Sequence, residues 1–401
     1  MWRSLVARLT TPFSRAWGQR AAAALLVVGT LSACSTVKAP APPTQAPQAP
    51  VAAVPAAPQT LKVAILLPLS GSSAALGQAM LESAQMALFD LAGDRFELLP
   101  RDTKGTPTGA ADAARQAIAE GASLILGPLF AADVAAVKPV AQSAGVDVLA
   151  FTNDWTQAGN GTYVLGFVPA DQVTRVIGFA RSRGVTRYVA LAPRNAYGDA
   201  VVNAVQAASR QFGGQVAQVE RYDPAVTDLA QPARQVTQAG VQPQAVMLAE
   251  GGPRAQGLAS ALSANGLNTQ QVKLLGTVLW DEPGLGQEPA LAGAWFAAPS
   301  PQSRADFEAR FERTYGRKPP RIATLSYDAT AIAAVLAKMP DASGRFDRAA
   351  LNNPNGFEGM DGVFRLRADG VVERGLAVLE VTPSGPRVID PAPSSFDVLG
   401  Q

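Results

Sequence analysis

The sequence contains no histidine and a single cysteine, Cys34, in 401 residues. Without histidine, the chain lacks Ser-His-Asp triads, imidazole proton shuttles and the commonest ligands of zinc and iron. One cysteine excludes an intrachain disulfide, a CxxC redox pair and a cysteine metal cluster. The GxxxxGK[ST] motif of phosphate-binding loops is also absent. We therefore expect no metal, no cofactor, no catalytic residue and no enzymatic activity.

The chain also lacks a strong charge of either sign. It has 34 lysines and arginines against 32 aspartates and glutamates. Because the first 33 residues hold four arginines and no acidic residue, the remainder carries 30 basic and 32 acidic residues, a net charge of −2. No basic stripe with interleaved aromatic residues occurs, so we expect no nucleic-acid partner.

The N-terminal segment has the pattern of a secretion signal. Four arginines precede a short apolar run at 21–30, which predicts a signal peptide over residues 1–33. The letters LSAC at 31–34 resemble a bacterial lipobox, in which the cysteine becomes the lipidated first residue after cleavage. This resemblance implies a lipid anchor at Cys34. Since Ser35 and not aspartate follows, it also implies a periplasmic protein held at the inner leaflet of the outer membrane.

Residues 34–60 are predicted to be the lipidated cysteine and a tether. From Lys38 to Thr60 the chain is almost entirely Ala, Pro, Gln and Val, which cannot bury a core and favours extended polyproline II. At about 3 Å per residue, this segment reaches roughly 60–70 Å.

The folded part begins with a strand, a turn and a helix. Val63 to Leu69 is an apolar run of strand length, Ser70–Gly71–Ser72 follows as a turn, and helical spacing begins at Ala74. Such a turn presents backbone N–H groups and the positive end of a helix dipole, which suits an anion. The same alternation of strands and helices continues along the chain and predicts an α/β fold with doubly wound parallel sheets.

The folded part is longer than one ordinary core, so we expect two lobes. The rhythm of strands and helices restarts after Pro169. We assign residues 61–168 and 299–356 to lobe 1, and residues 169–298 and 357–395 to lobe 2. A hairpin with its turn at Ala368–Asp369–Gly370 is predicted within 357–381.

Several segments resemble the type I periplasmic binding proteins, above all the branched-chain amino-acid receptors of ABC transporters. The segments are AILLPLSGSSAALG, LILGP, FEARFERTYGRKPPRIATLSYDAT and GFEGMDGVFRLRADG, in that order. The resemblance implies two doubly wound lobes joined by crossover hinges, with a cleft lined by loops at the carboxyl ends of strands. On this basis the candidate cleft residues are Ser70, Gly71, Ser72, Gly127, Pro128, Leu129, Phe151, Thr152, Asn153, Tyr197, Glu250, Trp280 and Asp281.

Two functions remain open within this fold. The lipobox and the Ala/Pro tether resemble the penicillin-binding protein activators, outer-membrane lipoproteins that stimulate peptidoglycan synthases. That resemblance implies a non-enzymatic regulator of cell-wall synthesis whose partner is a peptidoglycan synthase. The alternative is a solute receptor of an ABC importer for amino acids or a related small ligand.

One departure from the amino-acid receptors bears on this choice. Those receptors follow the Gly-Pro strand end with small hydroxyl residues that bind the ligand carboxylate, whereas this chain has Leu129–Phe130–Ala131–Ala132. In the next loop only Thr152 is a partial match. A carboxylate without hydroxyl donors loses its charge-assisted hydrogen bonds. The sequence therefore argues against a free amino acid as the ligand.

The lipid anchor gives the first prediction. Replacing Cys34→Ser removes the thiol that takes the lipid, so the variant should carry no fatty acid. Metabolic labelling with a fatty-acid analogue tests this directly. Label that stays on the Cys34→Ser protein would show that the anchor is elsewhere or absent.

Overall fold

The computed structural model describes residues 60–91, 96–338, 346 and 348–396. The predicted signal peptide, Cys34 and the tether up to residue 59 lie outside these residues. Within the described part, no helix has the length and apolar character that crossing a membrane requires.

The described residues form ten α-helices and fifteen strands. The helices are α1 (Ala74–Leu91), α2 (Pro107–Ala119), α3 (Ala131–Ala144), α4 (Pro169–Ser182), α5 (Ala196–Gln211), α6 (Ala230–Thr237), α7 (Gly252–Ala264), α8 (Pro301–Tyr315), α9 (Ala323–Leu336) and α10 (Arg348–Leu351). The strands are β1 (Leu61–Leu67), β2 (Phe96–Asp102), β3 (Ala122–Leu126), β4 (Asp147–Ala150), β5 (Thr162–Val164), β6 (Arg187–Pro193), β7 (Gln215–Tyr222), β8 (Ala245–Leu248), β9 (Lys273–Gly276), β10 (Trp295–Ala298), β11 (Phe357–Gly359), β12 (Gly362–Leu366), β13 (Val372–Arg374), β14 (Ala377–Glu380) and β15 (Arg387–Asp390).

Lobe 1 is built on a five-stranded parallel sheet in the order β2-β1-β3-β4-β5. Strand β1 is apolar because both of its faces are covered. Val63, Ile65 and Leu67 pack with α1 and α9, whereas Ala64 and Leu66 pack with α2 and α3. The period of two in the strand thus divides its side chains between two helical layers.

Lobe 2 is built on a seven-stranded sheet in the order β15-β14-β10-β9-β8-β6-β7. The strands from β10 to β7 are parallel, and β14 and β15 add an antiparallel edge. Val189 and Leu191 face α6 and α7, while Tyr188 and Ala190 face α4 and α5. This sheet is therefore also covered by helices on both sides, although it is not wholly parallel.

Local signals fix the ends of several helices. Helix α2 begins where Thr106 Oγ1 accepts a hydrogen bond from the Gly109 N–H at 3.2 Å, with Pro107 as the first helical residue. Helix α3 ends at Gly145, whose φ of 66° is left-handed and suits glycine. The sequence pattern predicts a helix over residues 131–144, and α3 has these bounds in the structure.

The chain passes between the sheets three times. The connections follow β5, β10 and β13, between Val164 and Pro169, between Ala298 and Pro301, and between Arg374 and Ala377. The sequence-based assignment put all of 357–395 in lobe 2, and here the structure differs. The third passage comes after β13, so the chain reaches the lobe 2 sheet only at β14.

Strands β11 to β13 form a small antiparallel sheet that belongs to lobe 1. Its apolar residues Phe364, Leu366 and Val372 are buried in the same cluster as the core of lobe 1. The Val164 N–H also donates to the Gly370 carbonyl at 2.8 Å, which ties the predicted hairpin turn to β5. The alternation of residues predicted the hairpin, but it does not indicate which lobe covers its apolar face.

Buried charges lie between this small sheet and α9. Asp361 accepts hydrogen bonds from Arg321 Nη1 at 3.2 Å and from Thr324 Oγ1 at 2.6 Å. Burial opposes its ionisation, but Arg321 and Arg374 outweigh that effect and lower the pKa of Asp361. For Asp328, burial and then the nearby Asp361 charge raise the pKa to about 7. Two neighbouring carboxyl groups thus differ in charge near neutral pH.

Replacing Phe364→Ala should destabilise the fold by about 3–5 kcal/mol, because a fully buried ring leaves a cavity. Phe89→Ala is the matched control, since Phe89 is 86% exposed and should change stability by no more than about 0.5 kcal/mol. Guanidinium denaturation of both variants measures the difference. Equal losses in the two variants would contradict the packing of the hairpin in the core.

Asp328→Asn should change how stability depends on pH. A carboxyl group with a raised folded pKa contributes stability that is complete below its unfolded pKa, near 3.8, and is lost as pH rises through about 7. The variant lacks this loss, so its stability relative to wild type should rise between pH 4 and 7. Denaturation at several pH values tests this, with Asp112→Asn at an exposed ion pair as the control. A pH-independent difference would refute the raised pKa.

Candidate functional site

A cavity of about 450 Å³ lies between the two lobes. Most of its wall is apolar, contributed by Leu76, Leu129, Phe130, Phe151, Phe167, Val278, Leu279, Ile322 and Leu325. The remaining wall is polar apart from one glycine and consists of Thr152, Asn153, Gly166, Tyr197, Asp281, Glu282 and Arg321. Concave sites with apolar walls and a few polar groups are typical of small-molecule binding.

Six of the predicted cleft residues line this cavity: Leu129, Phe151, Thr152, Asn153, Tyr197 and Asp281. They follow β3, β4, β6 and β9, so these cavity residues lie on loops beyond the carboxyl ends of parallel strands. The other seven predicted residues lie outside the cavity wall. They belong to the turn after β1, to the Gly127–Pro128 peptide after β3, and to the contact between Glu250 and Trp280 in lobe 2.

The turn at Ser70–Gly71–Ser72 is occupied by a carboxylate of the chain itself. Asp102 Oδ1 accepts hydrogen bonds from the backbone N–H groups of Leu69 at 2.9 Å, Ser70 at 3.3 Å and Lys104 at 2.7 Å. Burial alone would raise the pKa of Asp102, but these bonds and one from the Ser70 side chain lower it. The anion position that the turn predicts is therefore filled by Asp102.

Gly127 and Pro128 shape the chain before the cavity. Gly127 has a φ of 85°, and a Cβ there would lie 2.4 Å from the Leu66 carbonyl oxygen, so only glycine fits. The peptide bond to Pro128 is cis. The Pro128 carbonyl accepts a hydrogen bond from the Phe151 N–H at 2.9 Å. These residues thus position Leu129 and Phe151, which do line the cavity.

Trp280 and Glu250 stabilise lobe 2 and do not line the cavity. Trp280 is 1% exposed, and its ring covers Gly276, where a Cβ would lie 2.2 Å from the indole. Its Nε1 donates to the Glu250 carbonyl at 2.8 Å. The Glu250 carboxylate accepts hydrogen bonds from the Tyr222 hydroxyl at 2.6 Å and from Arg254 at 3.3 Å. The candidate cleft residue Trp280 is thus placed in the core of lobe 2, and both Trp280 and Glu250 lie outside the wall of this cavity.

The sequence missed the wall residues that do not follow the predicted strand ends. Arg321 and Ile322 come immediately before α9, Leu325 from its first turn, and Leu76 from α1. Phe130 and Glu282 directly follow the predicted cleft residues Leu129 and Asp281 in the sequence. For the α9 residues no signal existed, because nothing in their spacing indicates that this helix begins at the cavity.

The wall beyond β3 is apolar. Leu129 is 8% exposed and Phe130 is 36% exposed. Phe130 is also the N-cap of α3 and makes no side-chain capping bond. In the next loop the Thr152 hydroxyl accepts a hydrogen bond from the Asp154 N–H at 3.1 Å. This side of the cavity therefore offers few donors to a carboxylate.

Charged groups on the opposite side of the cavity are paired across the lobes. Asp281, which follows β9 in lobe 2, accepts hydrogen bonds from Arg304 Nη2 at 2.9 Å and Arg321 Nε at 3.1 Å. Both arginines belong to lobe 1, on α8 and immediately before α9. Arg304 also donates to Glu308 at 2.7 Å. The guanidinium of Arg321 lies 4.5 Å from the ring centroid of Phe167, within cation–π range.

Tyr197 contributes a neutral polar group from the first turn of α5. Its hydroxyl lies 2.8 Å from Thr277 Oγ1, and burial raises its pKa to about 12. Near neutral pH the phenol therefore keeps its proton. In the part of the chain that the structure describes, no cluster of three or more acidic or sulfur ligands is suited to a metal ion.

The sequence profile of the family described as "Periplasmic binding protein" matches residues 60–386. No curated protein matches the chain. Among solved structures, a putative branched-chain amino acid ABC transporter from Rhodospirillum rubrum is 22% identical with a TM-score of 0.73, covering 82% of this chain and 100% of that one.

Two further structures have the same fold. The leucine-, isoleucine-, valine-, threonine- and alanine-binding protein from Brucella ovis, in a closed conformation, is 19% identical with a TM-score of 0.67, covering 84% of this chain and 93% of that one. A solute binding protein of an ABC transporter from R. palustris, in complex with benzoate, is 18% identical with a TM-score of 0.61, covering 84% and 98%. At these identities the likeness concerns the fold alone.

The predicted fold class, an α/β fold of the type I periplasmic binding proteins, is thereby confirmed. The family profile covers nearly all of the described chain, from before β1 to the loop that precedes β15. The chain belongs to the periplasmic binding protein family.

Proposed function

We propose that this protein is a non-enzymatic periplasmic receptor that binds a small organic ligand between its lobes. The observation that carries the proposal is the cavity of about 450 Å³, whose wall is mainly apolar and is contributed by both lobes. A ligand held there touches lobe 1 and lobe 2 together, so binding favours one arrangement of the lobes over others.

Exposed apolar side chains support binding at this position. Phe130 from lobe 1 is 36% exposed and Leu279 from lobe 2 is 39% exposed, and both line the cavity. A ligand that covers them removes apolar surface from water, which contributes about 25 cal/mol for each Å². Single exposed apolar residues are common on proteins, but two that face one cavity from opposite lobes suit a ligand site.

The chemistry of the wall favours a ligand with an aromatic or aliphatic body. Phe130, Phe151 and Phe167 line the cavity together with Tyr197, and aromatic surfaces provide large apolar contact. Benzoate is the ligand of one solved relative with this fold. A free amino acid fits less well, because Leu129 and Phe130 stand where hydroxyl donors would hold its carboxylate.

The charged groups of the wall argue for binding and against catalysis. Asp281 and Arg321 are engaged in ion pairs with each other and with neighbouring residues. A general acid or base needs a proton that is free to move to a substrate. Because Asp281 and Arg321 are held in ion pairs, they fix the positions of the wall residues and do not transfer protons.

A second function, activation of a peptidoglycan synthase, is supported by the N-terminal segment. The LSAC letters ending at Cys34 and the Ala/Pro-rich residues 38–60 suit a lipoprotein that reaches from the outer membrane toward an enzyme of the inner membrane. The missing hydroxyl groups after Pro128 agree with a cleft that no longer binds amino acids. In this alternative, the ligand-binding cavity is a remnant and a protein-sized surface does the work.

Filling the cavity should abolish ligand binding without unfolding the protein. Leu279→Trp adds an indole at a partly exposed wall position, so the free protein should keep its melting temperature. Wild type should be stabilised by some compound in a panel of aromatic and aliphatic acids, alcohols and amines, by about 2.7 kcal/mol at 100 times its dissociation constant. Thermal shift measurements should detect no such stabilisation for Leu279→Trp.

Val388→Trp is the matched control, because Val388 is 40% exposed on β15 and lies away from the cavity. This variant should bind the same compound as wild type. The receptor proposal would be contradicted if no compound stabilised wild type, or if both tryptophan variants bound alike. Absence of any thermal shift together with retention of a peptidoglycan synthase on the immobilised protein would favour the second function.

A further inference from the structure

We propose that the cavity selects a ligand whose apolar body carries a positively charged amine and discriminates against one that carries a carboxylate. This inference rests on the proposed receptor function and specifies its ligand class. It follows from which charged groups of the wall already have partners. Three wall residues have acidic or basic side chains: Arg321, Asp281 and Glu282.

Arg321 is the group that would bind a carboxylate, but it is already engaged. Its Nε donates to Asp281 at 3.1 Å and its Nη1 donates to Asp361 at 3.2 Å. The flat face of the guanidinium lies on Phe167. A ligand carboxylate would have to displace one of these anions, and leaving a buried carboxylate unpaired is costly.

Asp281 has no spare capacity either. Its two oxygens are held by Arg304, with Nη2 at 2.9 Å from Oδ1 and Nη1 at 2.7 Å from Oδ2, and the side chain is 3% exposed. Arg321 occupies a further position on Oδ2. The charges of Asp281, Arg304, Arg321 and Asp361 thus compensate one another without a ligand.

Glu282 is different, because no described lysine or arginine forms an ion pair with it. It is exposed on the lobe 2 loop next to Asp281 and lines the cavity. Its carboxylate lies over Gly252 at the start of α7, where a Cβ would come within 3.1 Å of Oε1. Among the charged residues of the cavity wall, Glu282 therefore lies beside the start of a helix and has no ion-pair partner in the described chain, so its carboxylate attracts an amine and repels a ligand carboxylate.

Aromatic side chains complete the environment for an amine. Phe130, Phe151 and Tyr197 present rings to the same cavity, and a cation near an aromatic face is attracted by the ring quadrupole. The phenol of Tyr197 stays protonated near neutral pH and adds no second charge. A carboxylate gains nothing from these faces, since their electron density is negative.

Three probes that share a phenylethyl body separate the charge from the apolar contact. They are 2-phenylethylamine, 2-phenylethanol and 3-phenylpropionate. Calorimetric titration uses the full chain in lipid nanodiscs, with empty nanodiscs to correct for partitioning of the probes. The amine should bind at least about tenfold more tightly than the propionate, a difference of about 1.4 kcal/mol, with the alcohol between them.

Glu282→Gln keeps the shape of the side chain and removes its charge. It should weaken binding of the amine by roughly three- to tenfold and change binding of the alcohol less than about twofold. Binding of the propionate should improve. Glu97→Gln makes the same change at an exposed position on β2 and should leave all three affinities unchanged.

Three results would overturn the inference. Propionate binding as tightly as the amine would show that the wall does not discriminate by charge. Equal weakening of the amine and the alcohol by Glu282→Gln would assign that residue a packing role. If none of the three probes binds, the amine class is wrong; the receptor function then stands only if another compound binds and Leu279→Trp blocks it.

Discussion

The arrangement of the site depends on one carboxylate that is held across the lobes. Asp281 leaves lobe 2 after β9 and is bound by Arg304 and Arg321 of lobe 1. Because the aspartate is almost fully buried, removing both arginines would leave its charge without compensation, at a cost of about 3–5 kcal/mol. The pair therefore contributes more to the position of the lobe 2 loop than to net stability, since burying the charges offsets much of their attraction.

The same constraint extends from the cavity to the passages between the lobes. Arg321 links Asp281 to Asp361, and Phe167 lies between the guanidinium groups of Arg321 and Arg374 at 4.5 and 4.9 Å from its centroid. Phe167 belongs to the first passage between the lobes, and Arg374 ends the strand before the third. The wall of the cavity is thus in contact with the segments that connect the lobes and determine their relative position.

Much of the fold was predictable because burial imposes periods on the sequence. The apolar run of β1, the helical spacing of α1 and the bounds of α3 follow directly from covered strands and amphipathic helices. The short β5 was missed, since three residues carry no periodic signal. The lobe that covers β12 and β13 was also not predictable, because an alternating strand indicates a buried face but not its partner.

The site was harder to predict than the fold for a related reason. Phe151, Thr152 and Asn153, predicted from their position after a strand, line the cavity, whereas the backbone N–H groups at Ser70 are occupied by Asp102. Whether a polar group is available to a ligand depends on partners that are distant in the sequence, such as Asp102, which lies 33 positions after Leu69. Once those partners are assigned, Glu282 is the charged wall residue without an ion-pair partner among the described residues, and the proposed preference for an amine depends on this residue rather than on the number of charged residues.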